Sequence, residues 1–403
     1  MQEIVIIGGG ASGLVSAIIA ARKGKKVTIL ERNNICGKKI LVTGNGRCNY
    51  FNEDQNIKHY RSNDTELLKE IITKKNQEKV LQFFKEIGIE PKIKNGYYYP
   101  FSNQAVSIQN ALLTEIKNLD IEIRNEVEVR KIKKQNDKFI IMTDKENIEA
   151  NKIIISTGSK SAPKTGSDGS GYKICKELGH TVIEPLPALV QLKGKEKYFK
   201  EWNGIRADVA INLYEDNKEI VKEVGEIQLT DYGISGICVM NLSGRVARGL
   251  YTGKDEYVKI NFLSNLNINT VQECIGFIDK RNKSMKNRTI SELLDGIINY
   301  KLLNVLLKNL KNKQWNEIST KDKEKIVESL VELKVNIIGT NSFDKSQVCS
   351  GGIPLKEIDI NTMESKLVNG LYIIGELLDC DGDCGGYNLT WAWITGIIAG
   401  EEI

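Results

Sequence analysis

The chain opens with a short hydrophobic run that contains no internal polar position. Residues 3–7 read Glu-Ile-Val-Ile-Ile, and a β-branched run of this kind is typical of a buried parallel strand. A helix-like pattern over 14–23 follows, and a second apolar run over 26–30 ends at Glu31. The order strand, helix, strand predicts an α/β fold that begins with a parallel sheet.

The hydrophobic spacing changes twice farther along the chain. Short β-like runs are followed by apolar positions at helical spacing, and strand-like runs then return. The β-like runs lie at 207–213, 224–229 and 257–262, the predicted helix at 291–310, and the returning strands at 335–338 and 346–349. A last strand over 370–374 precedes an apolar helix over 390–399, which is too short to cross a bilayer.

Composition and charge narrow the class of protein. Apolar residues make up 41% and charged residues 27% of the 403 positions, as in a soluble globular chain. The net charge of +5 excludes a strongly basic nucleic-acid coat. No apolar run is as long as a membrane span, and the N-terminus lacks a basic region and a cleavage site, so we expect a cytoplasmic protein.

Cysteine and histidine are too sparse for several kinds of site. Eight cysteines in this length do not form a disulfide scaffold. The two histidines, His59 and His180, argue against an imidazole-ligated metal, and neither lies in a motif typical of a hydrolase. We therefore expect no metal site and no Ser–His or Cys–His catalysis.

A glycine motif joins the first predicted strand to the first predicted helix. Residues 8–13 match G-x-G-x-x-G. Gly8 allows a tight turn, Gly10 lets a pyrophosphate approach the backbone, and Gly13 permits close packing of helix on strand. Glu31 can then accept hydrogen bonds from both hydroxyls of an adenosine ribose. The alternative is a chance glycine-rich turn, but the order of strand, helix, strand and acid favours a dinucleotide.

Three later segments favour FAD over NAD. Thr157-Gly158 ends an apolar strand in the kind of turn that passes an adenine dinucleotide in flavoproteins. Gly375-Glu376 ends the strand over 370–374, and a carboxylate there can bind ribityl hydroxyls, which only a flavin cofactor carries. The segment 382–389 leads into the last helix, whose N-terminal dipole would stabilise negative charge on a reduced flavin.

Longer motifs carry a resemblance to one protein family. The loop 37–49 (GKKILVTGNGRCN) resembles the G-(R/K)-K…(T/S)-G-x-G-R-C-N loop of the bacterial flavoproteins known as the HI0933-like family. Further matches lie at 230–236, 351–353, 362–366 and 370–400. Two positions depart from the family pattern, since Asp231 stands where relatives usually have His and Thr390 where they usually have Gln.

The resemblance implies an α/β fold in which a Rossmann-like FAD-binding domain is interrupted by a β-rich, barrel-like domain with a small helical insert. The implied boundaries are 1–187 and 345–403 for the FAD-binding domain, 188–265 and 329–344 for the β-rich domain, and 266–328 for the insert. The family also implies an NAD(P)/FAD-dependent oxidoreductase. One of its branches is similar to gut-bacterial enzymes that reduce the conjugated double bonds of 3-oxo-Δ4,6 bile acids.

The motifs and the resemblance together select the residues expected at the site. Arg47 and Asn45 are the candidate catalytic residues, because Gly44 and Gly46 let their loop approach a planar ring closely. The residues expected to contact FAD are Gly8, Gly10, Ala11, Ser12, Gly13, Glu31, Arg32, Lys38, Thr43, Gly44, Asn45, Gly46, Arg47, Cys48, Asn49, Val127, Thr157, Gly158, Gly375, Glu376, Gly386, Tyr387, Asn388 and Leu389.

Several side chains keep a second interpretation. Arg47 places a positive charge near the flavin, binds an anionic substrate group, or forms a structural salt bridge. Cys48 is a catalytic thiol or a small buried cysteine. Cys380 and Cys384 are a redox pair or part of a positioning turn. The tyrosines at 97–99 line a substrate pocket or form a strand face that packs on the preceding helix.

The favoured function is an FAD-dependent oxidoreductase that reduces an activated C=C bond of a small enone-like or steroid-like molecule. NAD(P)H is the electron donor that the family implies, and it would dock transiently because the chain has no second G-x-G-x-x-G. One alternative is flavin-dependent RNA modification, which the basic stretch 280–313 would support. We nevertheless expect a small-molecule substrate rather than nucleic acid. The other is a non-enzymatic flavoprotein redox sensor.

Overall fold

The computed structural model describes residues 2–403. The backbone divides into two units, which are described separately below. One unit consists of the chain up to Pro187 together with Phe343–Ile403, and the other of Ala188–Ser342.

The helices and strands follow in chain order. The first part of the chain forms β1 (Gln2–Ile7), α1 (Ala11–Arg22), β2 (Val27–Glu31), β3 (Phe51–Asn52), β4 (Tyr60–Arg61), α2 (Thr65–Ile71), α3 (Lys74–Glu86), β5 (Pro91–Lys94), β6 (Tyr97–Pro100), α4 (Ala105–Asn118), β7 (Glu122–Asn125), β8 (Val129–Gln135), β9 (Lys138–Thr143), β10 (Asn147–Ile155), α5 (Ser170–Glu177) and β11 (Ile183–Ala188). The middle part forms β12 (Leu192–Gly194), α6 (Phe199–Trp202), β13 (Arg206–Glu215), β14 (Lys218–Leu229), β15 (Gly233–Ser235), α7 (Ile237–Tyr251), β16 (Glu256–Asn261), α8 (Val271–Ser284), α9 (Ile290–Leu294), α10 (Tyr300–Leu307), α11 (Thr320–Val331) and β17 (Leu333–Thr340). The last part forms β18 (Val348–Gly352), β19 (Leu371–Ile373), β20 (Asp381–Gly382) and α12 (Tyr387–Glu402).

A twisted sheet of seven described strands forms the centre of the first unit. Its order is β7-β2-β1-β10-β9-β8, and β19 pairs with β10 on the same sheet. The pairs β2–β1, β1–β10 and β10–β19 are parallel, whereas β10–β9 and β9–β8 are antiparallel. The predicted βαβ start is therefore confirmed, and the strand ends that carry Gly8, Thr157 and Glu376 meet at one edge of the sheet.

Helix α12 packs directly on α1 because glycines, which have no side chain, occupy the positions of α12 where the two helices cross. A Cβ atom at Gly396 would lie 2.6 Å from the Ser12 carbonyl oxygen, and one at Gly400 would lie 2.7 Å from that of Ser16. Most of α12 is buried, including Trp391 and Trp393, so its apolar character reflects the core. The helix spans 387–402, longer than the predicted 390–399.

The second unit contains a closed antiparallel barrel with helices. Among the described residues, six strands close it in the order β12-β15-β14-β13-β16-β17. The predicted runs at 207–213 and 224–229 lie within β13 and β14. The run at 257–262 lies in β16 and extends one residue beyond its end. The Rossmann-type α/β fold with a β-barrel is therefore confirmed.

The prediction of one helix over 291–310 is wrong. Two separate helices, α9 and α10, occupy this stretch. Gly296 takes a left-handed φ of 77°, and Asn299 caps α10 by accepting a hydrogen bond from the Lys301 amide. The apolar spacing was regular, but a glycine and a capping residue inside it ended one helix and began the next.

Helices long and apolar enough to span a membrane are absent from residues 2–403. The same residues hold no group of three or more His, Cys, Asp or Glu side chains placed to bind a metal ion.

Candidate functional site

The glycine turn between β1 and α1 is shaped by close backbone contacts at two positions and open space at a third. A Cβ atom at Gly8 would lie 2.6 Å from the Ser156 carbonyl oxygen, and one at Gly13 only 2.2 Å from the Gly8 oxygen. At Gly10 the nearest neighbouring atom is 4.0 Å away. The first bond inside α1 runs from the Leu14 amide to the Gly10 oxygen, so the amides of residues 11–13 have no acceptor within the helix. The turn thus presents open amides and a positive dipole end.

Glu31 holds this turn in place at the end of β2. Its Oε2 accepts a hydrogen bond of 2.8 Å from the Gly9 amide, and its Oε1 accepts two bonds of 2.8 Å from the backbone and side-chain nitrogens of Asn33. A carboxylate has about four acceptor positions, so one remains, on Oε2. Oε2 of Glu31 thus keeps an acceptor position for a ribose hydroxyl.

An open groove of about 390 Å³ lies beside Glu31. It is lined by Arg32, Asn34, Glu126, Glu128 and Asp144. Its volume is in the range of small-molecule sites. Val127, also expected near the cofactor, donates its amide to the Glu31 carbonyl oxygen at 3.0 Å, at the rim of this groove.

Arg32 is held at this groove by two carboxylates. It pairs with Glu128 at 2.8 Å and with Asp168. Burial acts to raise the pKa of Asp168, but hydrogen bonds from Arg32 and Ser170 hold that pKa below its usual range. Asp168 belongs to the glycine-rich stretch 166–171, which therefore packs against the Arg32 loop.

The loop that carries the candidate catalytic residues is exposed and tightly turned. Gly44 and Asn45 both have a φ of 54°, and residues 44–47 are exposed. Arg47 donates through Nε to the Gly44 oxygen at 3.1 Å, and its guanidinium lies 5.3 Å from the centre of the Tyr99 ring. No carboxylate within residues 2–403 forms an ion pair with Arg47. The structural salt bridge considered for Arg47 is thus not formed.

Cys48 ends this loop as a buried thiol. It is completely inaccessible, and burial raises the pKa of its thiol to about 12, despite a lowering contribution from the Thr43 hydroxyl. A thiol that stays protonated is a poor nucleophile. The geometry favours the interpretation of Cys48 as a small buried residue.

Three predicted segments converge at the start of α12. Gly385 and Gly386 have φ of 130° and 97°, and Gly386 caps the helix without a side chain. A Cβ atom at Gly385 would lie 2.6 Å from a ring carbon of Tyr97, and one at Gly386 would lie 3.1 Å from Oδ1 of Asn49. The loop 43–49, the strand β6 and the turn before α12 thus form one surface, with the Tyr97 ring against the glycine turn.

Asn388 fixes the first turn of α12. Its Oδ1 accepts from the Gly382 amide at 2.8 Å, and its Nδ2 donates to the Gly382 oxygen at 2.9 Å. Thr390, the departure from the family pattern, is fully buried, and its hydroxyl donates to the Gly386 oxygen at 3.0 Å. Gln55 reaches that hydroxyl at 3.4 Å. Thr390 is therefore a buried part of the first turn of α12, bonded back to the Gly386 oxygen, and is closed to a substrate.

Glu376 is oriented by a residue that sequence reasoning missed. Its Oε2 accepts from the Lys39 ammonium at 2.5 Å and from the Ser159 hydroxyl at 3.1 Å. Lys39 also donates to the Ser161 hydroxyl at 2.8 Å. Sequence analysis selected the neighbouring Lys38 as a cofactor contact and did not select Lys39, because nothing in a pair of adjacent lysines distinguishes the one that reaches Glu376. Both hydrogen bonds described for the Glu376 carboxylate go to Oε2.

Two buried polar atoms near these segments have no partner among the described residues. They are Oγ1 of Thr157 and Oδ1 of Asn49. A buried polar atom without a hydrogen bond is costly, so such atoms mark places where a ligand supplies the partner. Together with the open space at Gly10 and two helix N-termini without side-chain caps, they fit FAD, which offers a pyrophosphate, hydroxyls and ring nitrogens.

The remaining motifs have packing roles. Gly233 and Gly236 of the motif 230–236 pack against backbone atoms of their own unit, where added Cβ atoms would lie 2.2 and 2.3 Å from carbonyl oxygens. Asp231, in the same unit, is exposed. Ser365 of the motif 362–366 lies 2.9 Å from Nε2 of His180.

His180 has the contacts of a catalytic triad but not the accessibility. Its Nδ1 lies 2.8 Å from Oε2 of Glu357, and Ser365 contacts its Nε2. The His180 side chain is fully buried, and the Ser365 hydroxyl also accepts from the amides of Leu367 and Val368. No sequence motif indicates this arrangement, and its burial makes it a structural network that joins distant segments.

The cysteines form no redox pair within residues 2–403. Cys380 is buried, which raises the pKa of its thiol well above the usual range. Cys384 is partly exposed. The structure therefore favours the interpretation that Cys380 and Cys384 belong to a turn that positions the site over the interpretation that they form a redox pair.

Comparison with known proteins places the chain in a family. The model described as the HI0933-like protein Rossmann domain matches residues 2–402. A 3-dehydro-bile acid delta(4,6)-reductase from Clostridium scindens is 39% identical over 407 residues, covering 100% of this chain and 98% of that protein. A ribosomal RNA dihydrouridine synthase from Escherichia coli is 25% identical and covers 100% and 98% of the two chains.

A solved structure agrees with the fold. The open conformation of a flavocytochrome c3 fumarate reductase matches with a TM-score of 0.50 at 14% identity, covering 100% of this chain and 78% of that one. The site geometry and the full-length family match now point to the same conclusion. This chain belongs to the HI0933-like family of Rossmann-fold proteins and is an FAD-dependent oxidoreductase.

Proposed function

We propose that this chain reduces a carbon–carbon double bond conjugated to a carbonyl group in a small polycyclic enone, with NAD(P)H as the electron donor. The observation that carries the proposal is the 39% identity, over its full length, to a 3-dehydro-bile acid delta(4,6)-reductase. The dihydrouridine synthase relative supports the same bond type, since dihydrouridine is a uridine whose conjugated ring double bond is saturated.

The contacts described above support a placement of the cofactor. The amides of residues 11–13 would hold the pyrophosphate, and Oε2 of Glu31 would take one ribose hydroxyl. Oε1 of Glu376 would take a ribityl hydroxyl, and the N-terminus of α12 would face the pyrimidine edge of the ring. When bound, FAD supplies the hydride that the substrate receives.

Arg47 is the proposed donor to the substrate carbonyl oxygen. Among residues 2–403 its guanidinium donates only through Nε, and the rest of this exposed group is available to a substrate. The Tyr99 ring beneath the guanidinium restricts the movement of the Arg47 side chain and leaves its positive charge unpaired with any carboxylate among residues 2–403. A positive donor at the oxygen stabilises the enolate that forms as hydride reaches the β-carbon. Asn45, on the same exposed turn, would give a second hydrogen bond.

A proton must also reach the α-carbon. Tyr97 is a candidate because a phenol hydroxyl carries a proton at neutral pH and can donate it. Its ring packs against Gly385, at the turn proposed to face the flavin. Water is the alternative donor.

Anaerobic stopped-flow absorbance tests the reaction type. The holoenzyme is first reduced with NADH or with NADPH and then mixed with 3-oxo-Δ4 or 3-oxo-Δ4,6 steroids. We expect flavin reoxidation much faster than in buffer, with a product two hydrogen atoms heavier. Reoxidation by enones at the buffer rate, together with turnover of amines or quinones, would contradict the proposal.

A second candidate function is reduction of a uracil base in RNA. Residues 280–313 carry nine Lys and Arg against two acids. The fold joins the two basic ends of this stretch, because the Ile290 amide bonds to the Lys313 oxygen and the Ser291 amide to the Lys311 oxygen. RNA affinity that falls steeply with salt, together with flavin reoxidation by RNA but not by steroids, would favour this candidate.

A further inference from the structure

His59 lies between two carboxylates. Its Nδ1 is 2.8 Å from Oδ2 of Asp383, and its Nε2 is 3.0 Å from Oδ2 of Asp54. Both contacts can be hydrogen bonds to ionised carboxylates only when both ring nitrogens carry a proton. The geometry therefore fits an imidazolium, with each carboxylate accepting one bond.

The ring of His59 also contacts the first residue of α12. It stacks on Tyr387 with centroids 4.6 Å apart and an angle of 18° between the planes. The His59 carbonyl oxygen accepts from the Asp383 amide at 2.9 Å, and β4 pairs with β20 beside it. One histidine thus ties the segment 54–61 to the turn that precedes α12.

Two cations pair with the carboxylates around this histidine. Lys58 lies 3.7 Å from Oδ2 of Asp54. On the other side, Arg61 pairs with Asp383 and lies 3.6 Å from Asp381. Burial, followed by the nearby carboxylates, raises the pKa of Asp381 to about 6 although Arg61 acts to lower it. Acids outnumber the fixed cations here, so a charge on His59 changes the balance.

We propose that His59 is a positioning residue of the flavin site, whose ring holds Tyr387 and whose positive charge favours reduced over oxidised FAD. The proposal rests on the proposed function insofar as Tyr387–Leu389 face the cofactor. Reduction adds negative charge near the N-terminus of α12, and a cation tied to that turn stabilises it. His59 acts through Tyr387 and Asp383 and is not assigned contact with the substrate.

Three variants of the holoenzyme separate charge from ring. His59→Phe keeps an aromatic ring without charge, and His59→Lys keeps a charge without a ring. Lys58→Met is the matched control, because it removes a positive charge 3.7 Å from Oδ2 of Asp54 and leaves the histidine unchanged. We expect His59→Phe to bind oxidised FAD normally but to lose about tenfold in relative affinity for reduced FAD, which is about 30 mV in the two-electron potential. His59→Lys should keep the potential but change the flavin absorbance spectrum. Wild-type potentials in both His59 variants would overturn the proposal.

A second measurement needs no variant. The chain has only two histidines, so ¹⁵N-histidine NMR of the wild-type holoenzyme resolves each of them. We expect the His59 signals to show two protonated nitrogens and to shift on flavin reduction, while those of buried His180 stay unchanged. Insensitivity of His59 to reduction would overturn the inference. A protein that fails to bind FAD would instead contradict the proposed function.

Discussion

The ammonium group of Lys39 lies 2.5 Å from Oε2 of Glu376, and this pair connects two segments that are 337 residues apart in the chain. The pair is about one-fifth exposed, so solvent screens it only in part. Ser159 and Ser161 complete the network. Lys39 thus determines which oxygen of Glu376 remains for the cofactor.

Lys39→Met should weaken FAD binding by about tenfold or more, about 1.4 kcal/mol, because Glu376 loses the partner that orients it. Lys25→Met, at an exposed lysine outside the candidate site, is the control and should bind FAD as the wild type does. Fluorescence titration of apoprotein with FAD measures both constants. Equal affinities in the two variants would show that Glu376 needs no orientation by Lys39.

Gly10→Asp should abolish FAD binding without unfolding the protein. A Cβ atom at this position has no neighbour closer than 4.0 Å, so the fold tolerates it, whereas a carboxylate would repel the pyrophosphate. Circular dichroism should be unchanged, and the purified protein should be colourless. Gly10→Ala, which adds the Cβ without charge, should retain more FAD. Yellow Gly10→Asp protein would contradict the placement of the pyrophosphate.

Arg47→Met should slow flavin reoxidation by an enone about 10²-fold and leave flavin reduction by NAD(P)H unchanged. The reason is that the guanidinium is proposed to act on the enolate oxygen, which develops only in the second half of the cycle. Arg130, exposed on β8, provides the control variant Arg130→Met. Stopped-flow absorbance measures the two half-reactions separately, and equal slowing of both would argue for a role in cofactor binding.

Replacing Cys380 and Cys384 together by Ser should leave turnover within about tenfold of the wild type, a range of about 1.4 kcal/mol in barrier height. Cys380 is buried and the pKa of its thiol is raised, so this thiol stays protonated and is a poor member of a thiolate relay. Steady-state rates and FAD content are measured side by side. Loss of turnover with full FAD content would instead indicate that Cys380 and Cys384 act as a redox pair.

Glu256→Gln should stabilise the protein at alkaline pH. Glu256 is buried opposite Glu215 on the paired strands β16 and β13, and burial followed by repulsion from Glu215 raises the pKa of Glu256 to about 8 from about 4.5. The folded state keeps this proton while the unfolded state loses it, so stability falls as pH rises from about 4.5 to about 8. Glutamine removes that loss.

Urea unfolding at pH 5 and pH 9 checks the sign of this effect. We expect the variant to gain on the order of 2 kcal/mol relative to wild type between the two pH values. Asp144→Asn, at an exposed acid, is the control. An equal pH dependence in Glu256→Gln and wild type would mean that the carboxyl is already ionised in the folded protein.

The pattern of neighbouring residues was sufficient to predict the strands and turns that are determined by interactions over a few residues. The glycine motif at 8–13, the apolar strands β1, β10 and β19, and the barrel strands β13, β14, β16 and β17 were predictable, because chain geometry and side-chain alternation act over a few residues. The short barrel strands β12 and β15 were not predicted. The helix over 291–310 failed for the opposite reason. Its apolar spacing continued across Gly296, and only the packed structure shows two helices there.

What the sequence by itself determined is therefore the fold class, the family and the segments of the candidate site. Tertiary structure alone decided which side chains meet: Lys39 rather than Lys38 at Glu376, and His59 between Asp54 and Asp383. Hydrogen bonds and ion pairs depend on distances of a few ångströms between groups that are far apart in the chain. No pattern of neighbouring residues encodes those distances, because they arise only when β-strands, turns and helices pack.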